Sequence, residues 1–79
     1  MKPVNHAKQI GATLAARRKE LALSQTEVAA RLGLSQNRLS ELESRPETLT
    51  TEQLLALLNV LGLEMSIGQR ASPANKVEW

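Results

Sequence analysis

The sequence has no cysteine, no phenylalanine and no tyrosine, and a single tryptophan, Trp79, among its 79 residues. Without cysteine the chain can form no disulfide, no thiolate nucleophile and no cysteine-ligated zinc site. Its core must therefore be aliphatic, and leucine and alanine favour close-packed helices over a β-sandwich. No apolar run approaches the roughly 18 residues of a membrane span. Because no signal-peptide pattern is present either, we expect a cytoplasmic protein.

Groups that could support catalysis or metal binding are equally scarce. The one histidine, His6, has no second histidine or cysteine with which to share a metal ion. Ser24 and Ser35 have no base at a spacing that would activate a nucleophile, so we interpret them as helix caps. The sequence therefore predicts no metal, no cofactor and no enzymatic activity.

Charge is distributed unevenly along the chain, although the net charge is only +2. Residues 1–45 contain eight lysines and arginines and four glutamates, whereas residues 46–79 contain two basic and four acidic residues. A basic half beside an acidic half is suited to an anionic partner that binds one face of the molecule.

Apolar periodicity and capping residues predict four helices. The first covers about residues 6–21, with Gly11 tolerated near its start. Three further helices begin with hydroxyl side chains as N-caps, at Ser24, Ser35 and Thr50. They end at Gly33, before Pro46 and at Gly62. Five leucines between positions 54 and 61 predict that the fourth helix is the most buried.

After the fourth helix the apolar period changes to two. Leu63, Met65 and Ile67 alternate with polar or small residues, which is typical of a strand over residues 63–68. Because an isolated strand cannot satisfy its backbone groups, we expect it to pair with the same segment of a second copy. The result would be a homodimer around a twofold axis.

The predicted domain covers residues 1–68 and ends in this dimerisation strand. Residues 69–79 are expected to form a flexible tail, since they contain serine, proline, alanine and asparagine. Trp79 is then either the incidental end of a disordered segment or an anchor that fills a pocket in a partner protein.

The tripeptide Leu-Ser-Gln at 23–25 returns at 34–36, but the two helices that follow differ at their third position. The second predicted helix has Glu27 at this position, and the third has Arg38. Acidic residues are favoured in a first helical turn, because the helix N-terminus carries a partial positive charge. The third helix has no acidic residue before Glu41, so we expect a negatively charged partner at its N-terminus.

The second and third predicted helices are spaced as in a helix-turn-helix. At 100° per residue, Leu39 and Leu42 of the third helix point inward, and a polar set points outward: Gln36, Asn37, Arg38, Ser40, Glu41 and Ser44. Amides near the start of such a helix can bond bidentately to adenine in the major groove, and arginine can bond to guanine. Glu41 departs from this pattern. It could accept from a cytosine N4 or lie off the groove, and we expect the second.

Residues 17–61, with the core RRKELALSQTEVAARLGLSQNRLSELES, resemble the Xre-type helix-turn-helix domain of the phage-repressor family. The resemblance implies an all-α fold of four to five helices, to which this chain adds one short C-terminal strand that pairs across a dimer. It also implies that Gln25 contacts phosphate and braces the recognition helix, and that Arg18 and Glu43 form a buried structural ion pair. Combined with the outward-facing residues, it predicts a DNA-binding set of Arg17, Gln25, Ser35, Gln36, Asn37, Arg38 and Ser40.

The added strand and a tail that ends in Glu-Trp resemble the HipB antitoxins, the partners of HipA-type serine/threonine kinase toxins. This resemblance implies a repressor that binds a palindromic operator in double-stranded DNA, represses its own operon and neutralises a HipA-like kinase. Trp79 would be the toxin-binding residue. Two alternatives remain open, a stand-alone phage-type Xre regulator without a toxin partner and a protein-only adaptor that has lost the DNA contacts.

Overall fold

The computed structural model of the protein describes residues 4–69, and this part of the chain contains four α-helices and one short 3-10 helix. In chain order these elements are α1 (Ala7–Glu20), α2 (Gln25–Leu32), α3 (Gln36–Ser44), η1 (Pro46–Thr48) and α4 (Thr51–Val60). The predicted all-α class and the order of the four helices are confirmed. No helix in residues 4–69 has the length and apolar character needed to cross a membrane.

Reciprocal side-chain bonds fix the starts of α2 and α4. The Ser24 hydroxyl accepts the Glu27 backbone N–H at 3.0 Å, and the Glu27 carboxylate accepts the Ser24 backbone N–H at 2.9 Å. The bond from the Ser24 backbone N–H lowers the pKa of Glu27, because it favours the ionised form of the carboxylate. Thr50 and Gln53 exchange the equivalent pair of bonds, both at 3.0 Å. The N-caps predicted for these two helices are confirmed, and each is a complete capping box.

Three helices end in the same motif, in which a residue in the left-handed region is followed by a leucine. The left-handed residues after α1, α2 and α4 are Ala22 (φ +57°), Gly33 (φ +70°) and Gly62 (φ +66°). The next backbone N–H donates to a carbonyl five positions earlier, at 3.1 Å for Leu23, 2.9 Å for Leu34 and 2.8 Å for Leu63. This is the Schellman motif. Ala22 was not predicted there, because a residue with a Cβ is strained in this region.

The core is aliphatic and lies where α3 packs against α1 and α2 and where α4 packs against α2. Its fully buried side chains are Leu14, Val28, Ala29, Leu39, Leu42, Leu57 and Leu61. Arg18 is the one charged residue that is buried in residues 4–69. Its guanidinium therefore requires polar partners within a largely apolar interior.

The prediction that α4 is the most buried helix is wrong. Leu57 is its one buried residue, and Leu55 is 50% exposed. Adjacent helical residues point about 100° apart, so Leu54 and Leu55 cannot both face a core that lies on one side of the helix.

The segment after α4 forms no strand within residues 63–69 of the single chain. Its alternate side chains are exposed, to 44% at Met65 and 93% at Ile67. The strand was predicted to pair with a second copy, which one chain does not test, so the pairing stays a prediction. The predicted tail lies outside the described residues from position 70 onward, and so does Trp79.

Gly11 is buried where α1 approaches the C-terminal end of α3. A Cβ at this position would overlap the backbone carbonyl oxygen of Glu43 and would lie 3.1 Å from Cγ of Pro46. Helical periodicity predicts only that this glycine is tolerated, whereas the structure requires the absence of a side chain at this position.

The substitution Gly11→Ala is expected to lower the free energy of unfolding by about 1–3 kcal/mol, because a backbone oxygen cannot move aside unless α1 and α3 separate. Helix propensity alone predicts the opposite sign, a gain of roughly 0.5–1 kcal/mol. Urea unfolding followed by circular dichroism measures the difference. Gly68→Ala is the control, since nothing lies within 4 Å of a Cβ there. A stabilised Gly11→Ala variant would contradict the close approach.

Candidate nucleic-acid interface

The turn between α2 and α3 holds α3 in one orientation. Ser35 begins α3, and its hydroxyl accepts the backbone N–H of Arg38 at 3.0 Å, as predicted for an N-cap. On the inner side of α3, Leu39 and Leu42 are completely buried. Their burial fixes the rotation of α3 about its axis and so determines which side chains face outward.

The outward face of α3 is polar. Gln36, Asn37, Glu41 and Ser44 are exposed, and Ser40 is partly exposed. The Ser44 hydroxyl donates to the Ser40 carbonyl oxygen at 3.1 Å, so it lies against its own helix. The small side chains of Ser40 and Ser44 occupy the middle and the C-terminal end of this face, and the two amide side chains lie at its N-terminal end.

A chain of side-chain hydrogen bonds orients the first of these amides. Gln25 Nε2 donates to Glu43 Oε1 at 3.0 Å, and Gln36 Nε2 donates to Gln25 Oε1 at 2.6 Å. A carboxylate only accepts, so the amino group of Gln25 must face Glu43 and its carbonyl must face Gln36. Gln36 is thereby left with one N–H and its carbonyl oxygen available to a ligand.

Arg18 lies at the inner end of this chain. Its Nε donates to Glu43 Oε2 at 2.7 Å and its Nη2 to Glu43 Oε1 at 3.1 Å, while Nη1 donates to the Leu23 carbonyl at 3.0 Å. The Arg18 and Glu43 side chains are 11% and 9% exposed. Hydrogen bonding to Glu43 raises the pKa of Arg18, so the guanidinium stays charged. The four side chains of this network, Arg18, Glu43, Gln25 and Gln36, join α1 and α2 to both ends of α3.

Arg38 is paired within its own helix. Its Nη1 lies 2.6 Å from Oε1 of Glu41, one turn further along α3. Glu41 therefore supplies, from within the chain, negative charge that the first turn of α3 lacks. The pair also accounts for a carboxylate on this face. A contact of Arg38 with guanine would require this pair to open, and it stays a prediction.

Arg17, which belongs to the predicted DNA-binding set, has partners within its own chain, and its contact with DNA stays a prediction. Its Nε donates to the carbonyl oxygen of Leu61 at 2.9 Å, and its Nη1 lies 3.3 Å from Oε1 of Glu20. Leu61 is the C-cap of α4, where a cation is favoured by the carbonyls at the helix end. No local pattern in the sequence reveals a contact between residues 44 positions apart.

The residues predicted for dimerisation differ in their surroundings. Leu63 packs against the core, whereas Met65 and Ile67 are exposed. The structure therefore brings Gln25 and Gln36 together at the start of α3, beside Asn37, and places the Arg17 side chain at the C-terminal end of α4.

The family model described as "Helix-turn-helix" matches residues 14–67, which is more than half of the chain. The match begins within α1 and ends in the segment after α4. A search of curated proteins finds no match to the chain.

The substitution Arg18→Ala is expected to lower the free energy of unfolding by about 3–5 kcal/mol, because it leaves the Glu43 carboxylate buried without its main partner. The matched control is Arg45→Ala, which removes an exposed pair with Glu47 at 3.6 Å. That loss should be below about 1 kcal/mol. Urea titration of both variants measures the difference, and equal losses would contradict a structural role for the buried pair.

Proposed function

The chain belongs to the Xre-type helix-turn-helix family of DNA-binding transcription regulators, and we propose that it is a sequence-specific repressor whose α3 enters the major groove. The observation that carries this proposal is the oriented amide of Gln36 at the start of an exposed polar face. An amide fixed by internal hydrogen bonds loses little freedom when it binds, so its contact contributes to discrimination between bases.

The remaining hydrogen-bonding groups of Gln36 match adenine. Adenine presents the N7 acceptor and the N6 amino donor side by side in the major groove. The second N–H of Gln36 can donate to N7 while its carbonyl oxygen accepts from N6. Asn37, which is exposed at the next position, offers a second amide for a neighbouring base pair.

Gln36→Ala and Asn37→Ala are each expected to weaken binding to the preferred sequence by about 1–3 kcal/mol and to relax selection at one or two base pairs. The preferred sequence is obtained by selection from random duplexes with the wild type. Affinities for the selected and random duplexes are then measured by fluorescence anisotropy at one fixed salt concentration.

Asn59→Ala is the matched control, because it removes an exposed amide from α4, outside the helix-turn-helix. The control is expected to bind both duplexes as the wild type does. If the α3 variants weakened selected and random DNA equally, the base-reading role would be wrong.

The second part of the proposal is a homodimer through residues 63–68, in which the segment pairs antiparallel with its counterpart. The exposure of Met65 and Ile67 supports this. These apolar side chains at alternate positions are not buried within the single chain, and pairing would bury them. Pairing around a twofold axis would place two recognition helices about 34 Å apart over a palindrome.

Ile67→Pro is expected to give monomers that bind a palindrome no better than a half-site, because proline lacks both the isoleucine side chain and the backbone N–H donor of this position. Ile67→Val keeps a branched apolar side chain and the donor, and it serves as the control. Sedimentation velocity at micromolar concentration measures the association state. A wild type that sediments as a monomer would show that this segment does not dimerise.

The third part is the role of antitoxin to a HipA-like kinase, with repression of the shared operon. The resemblance to HipB antitoxins supports it, through the segment that follows α4 and the C-terminal Glu78-Trp79. The alternative is a stand-alone phage-type regulator. A kinase gene beside this gene favours the first function, and its absence favours the second.

Deletion of Val77–Trp79 is expected to weaken binding to the neighbouring kinase by about 2 kcal/mol or more, as for other aromatic anchor residues. Operator affinity should not change. Trp79→Phe keeps an aromatic ring and should retain part of the affinity in calorimetric titration. Full neutralisation of the kinase by the truncated protein would exclude the tail as an anchor.

A further inference from the structure

The hydrogen bond between Arg17 and Leu61 ties α1 to the point where the chain leaves α4. Arg17 Nε lies 2.9 Å from the Leu61 carbonyl oxygen, and Leu61 itself is 1% exposed. Nη2 of the same guanidinium lies beside Gly62, 3.6 Å from the position of a Cβ there. One side chain of α1 thus bonds to Leu61 and lies next to Gly62 where the chain leaves α4.

This contact has no equivalent in the described residues. Among residues 4–69 it is the only side-chain hydrogen bond from α1 to the C-terminal end of α4, which packs mainly against α2. Two residues further on, the Leu63 N–H closes the Schellman motif on the Leu58 carbonyl at 2.8 Å, so the chain leaves α4 in a fixed direction. The segment that we propose to pair across the dimer begins at this residue.

We propose that Arg17 is a positioning residue that sets the spacing between the two recognition helices of the dimer. The inference rests on the proposed DNA-binding dimer. α1 packs directly on α3, so a bond from α1 to the α4 exit connects the recognition helix to the paired segment. Arg17 acts through this geometry and not through contact with DNA.

The magnitude of the effect follows from the length of the arm between the twofold axis and α3. With recognition helices about 34 Å apart, each arm is about 17 Å long. A rotation of about 10° at the α4 exit then moves α3 by roughly 3 Å, which is close to one base-pair step of about 3.4 Å. A single hydrogen bond that prevents such a rotation is enough to select one half-site spacing over its neighbours.

The competing role, contact with phosphate, depends on the charge of Arg17, whereas the proposed role depends on a donor at the position of Nε. Two neutral substitutions separate these roles. In R17Q the amide Nε2 stands the same number of bonds from the backbone as the arginine Nε and can donate to Leu61. In R17M a methyl group stands there and cannot donate.

The experiment uses the full chain and the operator selected for the wild type, together with versions in which one base pair is added or removed between the half-sites. Wild type and R17Q are expected to prefer the selected spacing to the same degree. R17M is expected to lose about fivefold of that preference, the factor that corresponds to one hydrogen bond. Its affinity for an isolated half-site should equal that of R17Q.

The other outcomes overturn the inference in distinguishable ways. If R17Q and R17M weaken all duplexes alike and lower the salt slope by about one unit, Arg17 contacts phosphate. If R17M binds every spacing more weakly by one common factor, the bond to Leu61 supports stability alone. If the wild type itself has no spacing preference, the proposed dimer fails, and the role of Arg17 fails with it.

Discussion

The bidentate ion pair between Arg18 and Glu43 is the interaction on which both the packing and the proposed DNA-reading surface depend. Glu43 lies at the end of α3, so the pair holds that helix against α1. The same carboxylate accepts from Gln25, which orients Gln36 at the other end of α3. A buried ion pair contributes little net stability compared with an apolar contact of the same volume, but it allows one geometry and penalises the others. In this chain, the ion pair keeps the amide side chains of Gln25 and Gln36 in one orientation.

The parts of this fold that the sequence predicts well are those in which cause and effect lie within a few residues. A hydroxyl cap bonds to a backbone N–H three positions on, so Ser24, Ser35 and Thr50 reveal helix starts directly. The left-handed turn at Gly33 is equally local. The exposure of Leu55 does not follow from its local sequence, because the leucine content of α4 does not show on which side of the helix the other helices pack.

The candidate site follows the same division. The outward set on α3 could be derived from helical periodicity, and exposure of Gln36 and Asn37 agrees with it. The orientation of the Gln36 amide could not be derived, since it depends on Gln25 in another helix. The requirement for Gly11 and the bond from Arg17 to Leu61 have the same origin, because each joins segments that are distant in sequence. The charge of Arg17 favours an anionic partner, but charge alone does not reveal that the Leu61 carbonyl oxygen lies within hydrogen-bond distance.

The ion pairs within the chain have a consequence for how the protein searches a genome. Four arginines in residues 4–69 lie close to a carboxylate of their own chain: Arg17, Arg18, Arg38 and Arg45. Attraction to arbitrary DNA comes mainly from cations that displace counterions from phosphates, and paired arginines displace fewer of them. Compared with a protein whose arginines are unpaired, such a protein would spend less time on the millions of competing sites of a chromosome. Fewer copies of it would then be needed to occupy one operator. In the proposed repressor, operator occupancy would then depend mainly on base-pair contacts and vary less with the ionic strength of the cell.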